Sequence, residues 1–360
     1  MQVIRVANER AQAQAAIAEV SRLLQLGASD WSPIAVLSST HRELADVRAL
    51  AEAGGIPIRW VAHRDKMPTL HQIRELGRFL LRLEPARNQM KRATQLTAVA
   101  VQMFGHDSTN SWVRFLFRLL DTWQQESGDA ELPVYEAMEF LYEMCAESRR
   151  EFNYGAGVTL STVHAAKGTE YEHVLVVGAW PAHQDQARLE ESRRALYVGM
   201  TRARRTLAVF ERQDIRPALP NALSGPAVMI RQFAHTSLNA PNRLNYETLG
   251  FEDIHLGFPG TFSPGAAIHA ALARLEPGDN LMPGRLENDA IGLFAGDVCV
   301  ARLSHKAEAE WASRIAAIRE VRVLAIARRT AEQDTDQERR ERYQATEWEI
   351  PIVELVVAEA

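Results

Sequence analysis

The sequence predicts an α/β fold: a parallel-sheet domain interrupted by a helical insertion and followed by a small β-rich domain. Three observations lead to that prediction. Short, continuously apolar runs alternate with helical apolar spacing in residues 1–61 and again in 158–212, as expected for strands buried on both faces. Between these stretches, helical periodicity dominates from Met67 to Phe152. After Arg212, the prolines Pro217, Pro220 and Pro226 mark a boundary, and strand-like segments return within residues 246–360.

The elements follow in order. Val3 to Val6 reads as a strand, and Glu9 to Leu26 as a helix with Ala16, Ile17, Val20, Leu23 and Leu24 along one side, ended by Gly27. Pro33 to Leu37 reads as a buried strand. Ser38-Ser39-Thr40 then caps a helix that carries Leu44, Val47 and Leu50 and stops at Gly54-Gly55. Ile56 to Val61 is the next strand. The insertion sets Ile73, Leu76, Leu80 and Leu83, then Trp112, Phe115, Leu116, Leu119 and Trp123, then Val134, Met138, Leu141 and Cys145 at helical spacing. Its tryptophans read as core. The sheet resumes after Gly155-Ala156-Gly157 with strands at Val158 to Val163 and His173 to Gly178, a helix from Arg188 to Arg204, and a strand at Thr206 to Phe210. In the last segment, Ala290 to Phe294, Val298 to Leu303, Val321 to Ile326 and Glu349 to Val353 are strand candidates. A helix is expected near Lys306 to Ile318, and Gln333 to Arg342 reads as a solvated, charge-dense stretch.

At 360 residues the chain is long enough for two or three domains with a substantial core. Its net charge of −5 supplies no global positive field, so any nucleic-acid contact needs a local groove. Cys145 and Cys299 lie far apart and outside metal-ligand spacing, which implies buried thiols of a reducing compartment. No apolar run is long enough to span a bilayer and no signal-like segment opens the chain, so a cytoplasmic location without membrane contact is expected.

Two segments carry the chemistry. The first is Thr162-Val163-His164-Ala165-Ala166-Lys167-Gly168-Thr169-Glu170-Tyr171; the second runs from Glu190-Glu191-Ser192-Arg193-Arg194 through Leu196-Tyr197-Val198-Gly199-Met200-Thr201-Arg202-Ala203. In this order they resemble the fifth and sixth motifs of UvrD/Rep-type superfamily 1 DNA helicases. The resemblance implies a RecA-like (P-loop NTPase-like) parallel sheet. Residues 1–66 would form the first part of that family's domain 2A, 67–154 an all-helical, reduced 2B-like insertion, and 155–216 the second part of 2A. Residues 217–245 would be a linker and 246–360 a β-rich accessory domain. Segments at Gly278 to Leu281, Asp289 to Leu293 and Val300 to Ser304 are faintly similar to the small β-barrel called HIRAN. A small β-domain with a structural or protein-contact role is the default reading of them.

The resemblance also implies roles. Arg202 would be an arginine finger that stabilises the γ-phosphate in the transition state, a contribution of roughly 10³–10⁵ in rate in related nucleotide hydrolases. Arg194 and Arg205 would lend nearby charge, with Arg194, Tyr197, Thr201 and Arg205 on one helical face and Arg202 beside it. Gly168 would let the backbone approach the nucleotide, Glu170 would accept from the ribose hydroxyls, and Thr162, with His164 and Lys167, would contact DNA. His164 either orients the loop or is simply a structural histidine. Taken alone, the second segment is also what an amphipathic surface helix looks like. The cofactor implied is ATP with Mg²⁺; the nucleic-acid partner is single-stranded or partly duplex DNA, in a repair-type activity.

The chain departs from the family in four ways. It contains no G-x-x-x-x-G-K-[S/T] phosphate loop, and no N-Y-R-S segment to supply a second arginine to the γ-phosphate. Ser38 and Ser39 stand where the family has an arginine after the strand, and Thr169 and Tyr171 where it has Leu and Phe. The expected arrangement is therefore the C-terminal half of an ATP-dependent helicase motor, inactive alone, that meets a protein or upstream segment carrying the Walker A domain. The alternatives are a non-catalytic DNA-binding or helicase-partner protein and a pure interaction scaffold. The motor reading is staked on Arg202 lying at the carboxyl edge of the sheet beside an open cleft; a guanidinium packed away from that edge, with no cleft there, counts against it.

Overall fold

The computed structural model describes residues 1–27, 30–61, 66–148, 153–154, 157–234 and 243–358. Gly155 and Ala156, expected to precede the returning sheet, lie outside the described residues. The chain begins with β1 (Gln2–Val6), α1 (Glu9–Gln25), β2 (Ile34–Ser38), α2 (Ala45–Ala53) and β3 (Ile58–Val61). It continues through α3 (Arg74–Leu83), β4 (Met90–Lys91), α4 (Ala93–Phe104), α5 (Ser111–Ser127), β5 (Leu132–Pro133) and α6 (Val134–Ser148). Then come β6 (Asn153–Tyr154), β7 (Val158–Thr162), β8 (Tyr171–Val176), α7 (Gln186–Met200), β9 (Ala203–Arg212) and β10 (Met229–Gln232). The last elements are β11 (Leu244–Leu249), α8 (Ala267–Arg274), β12 (Asn280–Arg285), β13 (Ile291–Ala295), β14 (Val298–Arg302), α9 (His305–Trp311), β15 (Ile318–Thr330), α10 (Gln337–Arg340) and β16 (Glu347–Ala358).

Two compact units result. The first comprises residues 1–61 and 153–245 and holds an eight-stranded sheet in the order β10-β1-β9-β8-β2-β7-β3-β6. Its ladders are parallel except for β3 with β6. Strand alternation sorts the side chains onto two faces. On β2, Ile34 and Val36 join a core with Val20 and Ala16 of α1 and Val47 of α2, whereas Ala35 and Leu37 join a second core with Leu196 of α7. Parallel strands covered on both faces explain why each strand reads as a continuous apolar run.

The second unit takes residues 62–152 and 246–358 together. Helices α3 to α6 pack with a six-stranded sheet ordered β11-β16-β15-β12-β13-β14, in which the registers of β12 to β16 are antiparallel. The indole Nε1 of Trp112 donates to the Leu324 carbonyl on β15 at 2.9 Å, so this ring is a core residue with a satisfied polar atom. Arg74, at 3% exposure, is enclosed by Glu75, Glu276 and Glu349 and donates to the Leu275 carbonyl at 2.8 Å. A buried guanidinium needs several acceptors at once, and these come from both segments of the unit. Within the helical stretch, β4 and β5 form a two-residue strand pair that the helical periodicity does not announce.

Two local expectations change. The helix expected to run to Arg204 ends at Met200, and the strand expected from Thr206 begins at Ala203. Thr201 and Arg202 form the turn between them, so Arg205 is a strand residue and does not share a helical face with Arg194 and Tyr197. The hydroxyls of Ser38, Ser39 and Thr40 do not cap α2 itself, although Thr40 Oγ1 accepts from the Glu43 amide at 3.5 Å in the turn that leads into it. They converge on one carboxylate oxygen of Glu43, with Ser38 at 2.6 Å and Ser39 at 2.7 Å.

Candidate functional site

The register of β2, β7 and β8 decides where the motif residues fall. Both β7 and β8 run parallel to β2 on either side of it, with Ser38 level with Thr162 and Ile34 level with His173. Residues 163–170 must therefore carry the chain from the carboxyl edge of the sheet back to its amino edge. Val163 and Ala166 pin that crossing to the core beneath α7. Thr162 begins it: its Oγ1 accepts from the Ala165 amide at 3.2 Å and its carbonyl from the Ala166 amide at 3.0 Å. Gly168 lies near the other end at φ +91°, and an added Cβ would meet no atom within 4 Å, so the demand for glycine there is conformational.

Arg202 sits at the amino edge. It immediately precedes β9, whose first residue is level with Tyr171, and its carbonyl accepts from the Tyr171 amide at 2.8 Å. The expectation of a carboxyl-edge position is thus corrected. A residue on the turn into a parallel strand must lie at the strand's amino end, and the general preference of open α/β sheets for ligands at the carboxyl edge does not move it. The half-buried guanidinium rests on neutral acceptors: Nε donates to the Val198 carbonyl at 3.0 Å, Nη1 to the Thr169 carbonyl at 3.5 Å and Nη2 to the Thr201 hydroxyl at 3.1 Å. No carboxylate among the described residues forms an ion pair with it.

The structure therefore brings Gly168, Glu170 and Arg202 together at one sheet edge and leaves Thr162 at the other. His164 and Lys167 lie between, both exposed, lining a cleft of about 500 Å³ against α7 from Ala187 to Val198. Glu170 is held by Arg204, Nε to Oε2 at 2.8 Å, and beside it Arg205 holds Glu172 at 3.2 Å. Arg204 was not singled out by the sequence; the strand register that pairs it with Glu170 is a tertiary fact. At the carboxyl edge, Glu43 is a second missed residue. Its Oε1 accepts from the Ala179 amide at 2.7 Å while Oε2 takes the three hydroxyls, so a carboxylate fills the region where the resemblance implies a cation. Gly178 closes over it at φ +118°; a Cβ there would lie 2.8 Å from Ser38 Oγ and 2.9 Å from Glu43 Oε2.

The family model of the UvrD-like helicase C-terminal domain matches residues 68–213. Over those residues the chain is similar to a UvrD-like helicase C-terminal domain. A probable DNA helicase II homolog of Rickettsia conorii is 41% identical over 68 residues, covering 16% of this chain and 10% of that protein. The ATP-dependent DNA helicase PcrA of Leuconostoc citreum is 46% identical over 95 residues, 24% of this chain and 12% of that protein. UvrD2 of Mycobacterium bovis is 46% identical over 63 residues, 15% of this chain and 9% of its own. The matches thus span about a tenth of these curated relatives. Among solved structures, the C-terminal domain of a possible DNA helicase from Lactobacillus strain WCFS1 aligns over 64% of this chain and 83% of that one, with 12% identity and a TM-score of 0.31. No helix among the described residues is long and apolar enough to cross a membrane. No group of three or more His, Cys, Asp or Glu among them is placed to hold a metal ion.

Proposed function

We propose that this UvrD-like C-terminal domain is the second motor half of an ATP-dependent DNA helicase, completed by a phosphate-loop domain on another polypeptide segment. The observation that supports this most strongly is the state of Arg202. Its guanidinium is held by carbonyl and hydroxyl oxygens alone, at the same edge as Glu170 and Gly168. Neutral acceptors orient a cation without neutralising it, so its charge stays available to an incoming phosphate oxygen. In this reading Arg202 stabilises the γ-phosphate, Glu170 accepts from the ribose hydroxyls and Gly168 admits the backbone close to the nucleotide. Thr162, His164 and Lys167 contact DNA at and below the opposite edge. The fit to ATP is one-sided, since the chain lacks a phosphate loop; Mg²⁺ would be held by the other domain.

A two-ended layout suits a motor. The crossing at residues 163–170 ties the DNA-facing edge to the nucleotide-facing edge through one short segment packed on the core, so closure at one end displaces the other. The test is reconstitution: the isolated chain turns over ATP negligibly, whereas mixing it with its phosphate-loop partner restores DNA-stimulated turnover. Steady turnover by the isolated chain, lost in Arg202→Ala, would instead reveal an active site within it.

One observation favours a second reading, a non-catalytic DNA-binding or helicase-partner protein. Ser38 and Ser39 are committed to Glu43, leaving a carboxylate at the carboxyl edge where the helicases carry an arginine. If that reading holds, no phosphate-loop partner restores turnover. Salt-sensitive binding of single-stranded DNA, with log Kd linear in log salt, then separates a DNA module from a protein-only one.

A further inference from the structure

Two acceptors along one edge of the guanidinium aim Arg202. Nε donates to the Val198 carbonyl at 3.0 Å, and Nη2 to the Thr201 hydroxyl at 3.1 Å. The acceptors are themselves joined, since Thr201 Oγ1 donates to the same Val198 carbonyl at 3.0 Å. A hydroxyl has one proton, and giving it to Val198 leaves Thr201 purely an acceptor toward the cation. Val198 can serve both groups because α7 ends here. The Arg202 amide, which would reach that carbonyl in a continuing helix, bonds to the Gly199 carbonyl at 3.3 Å. The negative end of the helix dipole falls on these same carbonyls and favours a cation beside them. By contrast, the third contact, Nη1 to the Thr169 carbonyl, is long at 3.5 Å. Arginine has five N–H donors, and these contacts leave one on each terminal nitrogen.

We infer that Thr201 is the positioning residue for Arg202, its hydroxyl turning the uncommitted N–H groups toward a phosphate oxygen. The inference rests on the motor reading and adds a residue to it. Held at Nε alone, the guanidinium pivots about that one bond. A second acceptor, 3.1 Å from Nη2, fixes its plane. A carboxylate in the same place would orient the cation equally well but would neutralise it; a hydroxyl does not. Placement of this kind matters on the scale of an ångström, where a misplaced group loses about 10²-fold in rate. A hydroxyl that only closes the end of its own helix makes the same bond to Val198 and has no effect through Arg202. Coupling to Arg202 therefore separates the two roles.

Thr201→Val, which keeps the shape and removes the hydroxyl, and Thr201→Ser, which keeps the hydroxyl, test this. Thr201 is exposed, so neither variant disturbs the core. In the isolated chain, the Arg202 Nε–H is expected as a slowly exchanging ¹⁵N NMR cross-peak, assigned by its disappearance in Arg202→Lys. Thr201→Val is expected to lose that cross-peak and Thr201→Ser to keep it. The functional arm is single-turnover ATP hydrolysis on single-stranded DNA with the phosphate-loop partner. Thr201→Val is expected to slow the chemical step by roughly 10- to 100-fold, with nucleotide and DNA affinity unchanged, and Thr201→Ser to recover it. In an Arg202→Ala background, Thr201→Val is expected to add no further loss. A loss that persists in that background overturns the positioning role, as does a cross-peak absent from wild type or undiminished by Thr201→Val. An unchanged rate in Thr201→Val beside a large fall in Arg202→Ala also overturns it and leaves the motor reading standing. An unchanged rate in Arg202→Ala, or no turnover in any wild-type mixture, overturns the two together.

Discussion

Glu170, on the turn into β8, meets Arg204 of the neighbouring β9 at 2.8 Å, although neither is buried. The contact fixes the direction of the one carboxylate that the motif places at the amino edge. Its side chains are 47% and 66% exposed, so solvent screens it and its contribution to stability is about 0–1 kcal/mol. Arg204→Ala is therefore expected to leave the thermal midpoint within the shift that such a small change gives. A loss above about 2 kcal/mol in a urea melt would show that the pair holds the sheet edge together and does not merely orient Glu170.

Gly178→Ala is expected to be costly. The position combines φ +118° with a Cβ that would sit 2.8 Å from Ser38 Oγ and 2.9 Å from Glu43 Oε2. Its backbone is also clasped by Gln12, whose amide accepts from the Gly178 N–H at 3.0 Å and donates to its carbonyl at 3.1 Å. Strain of this kind costs on the order of 1–3 kcal/mol, and displacing a bonded carboxylate adds to it. Equilibrium urea denaturation should register at least about 2 kcal/mol.

His173 makes stability depend on pH. Burial in β8 holds its imidazole below the ordinary value of 6.5; nearby Glu172 opposes the shift and Arg205 reinforces it. The folded state thus binds fewer protons than the unfolded chain over this range. Its stability is complete above pH 6.5 and falls as pH drops through that value toward the lower folded one. His71 and His255, also lowered by burial, act in the same direction. Urea midpoints compared at pH 8 and pH 5 should fall on acidification, and by less in His173→Gln.

Tyr343 should ionise late. Its hydroxyl donates to Asp334 at 2.6 Å, and its ring lies 4.7 Å from that of Trp348. Burial, followed by the adjacent carboxylate, pushes the phenol up to about 12. A tyrosinate titration at 295 nm should show one group absent from the main transition, and Asp334→Asn should bring it back toward that transition.

Much of the architecture was legible in the sequence because its rules are local. Continuous apolar runs such as His173 to Gly178 identify strands with two covered faces, and Leu76, Leu80 and Leu83 identify a helix. Elements that obey no local rule escaped. Strand β12 contains Pro283 and Gly284, residues that read as a turn, yet it is held by long-range pairing to β13 and β15. Of the candidate site, the residues were legible and their grouping was not. Glu170 and Arg202 are far apart in sequence and meet only through the parallel register of β8 and β9. The edge on which Arg202 lies was derivable from its place before a strand, and the expectation failed by applying a ligand rule instead of that topology. The Glu43 cluster carries no sequence signal beyond three hydroxyl residues and an acid, a pattern that ordinarily marks a helix cap.

The central claim is that the Arg202 guanidinium acts on a nucleotide held by another domain. Single-turnover ATP hydrolysis by the chain with its phosphate-loop partner on single-stranded DNA measures this directly, comparing wild type with Arg202→Ala at saturating nucleotide. The expected result is a fall of roughly 10³–10⁵ in the rate of the chemical step, with DNA affinity unchanged. An unaltered rate in Arg202→Ala would contradict the claim.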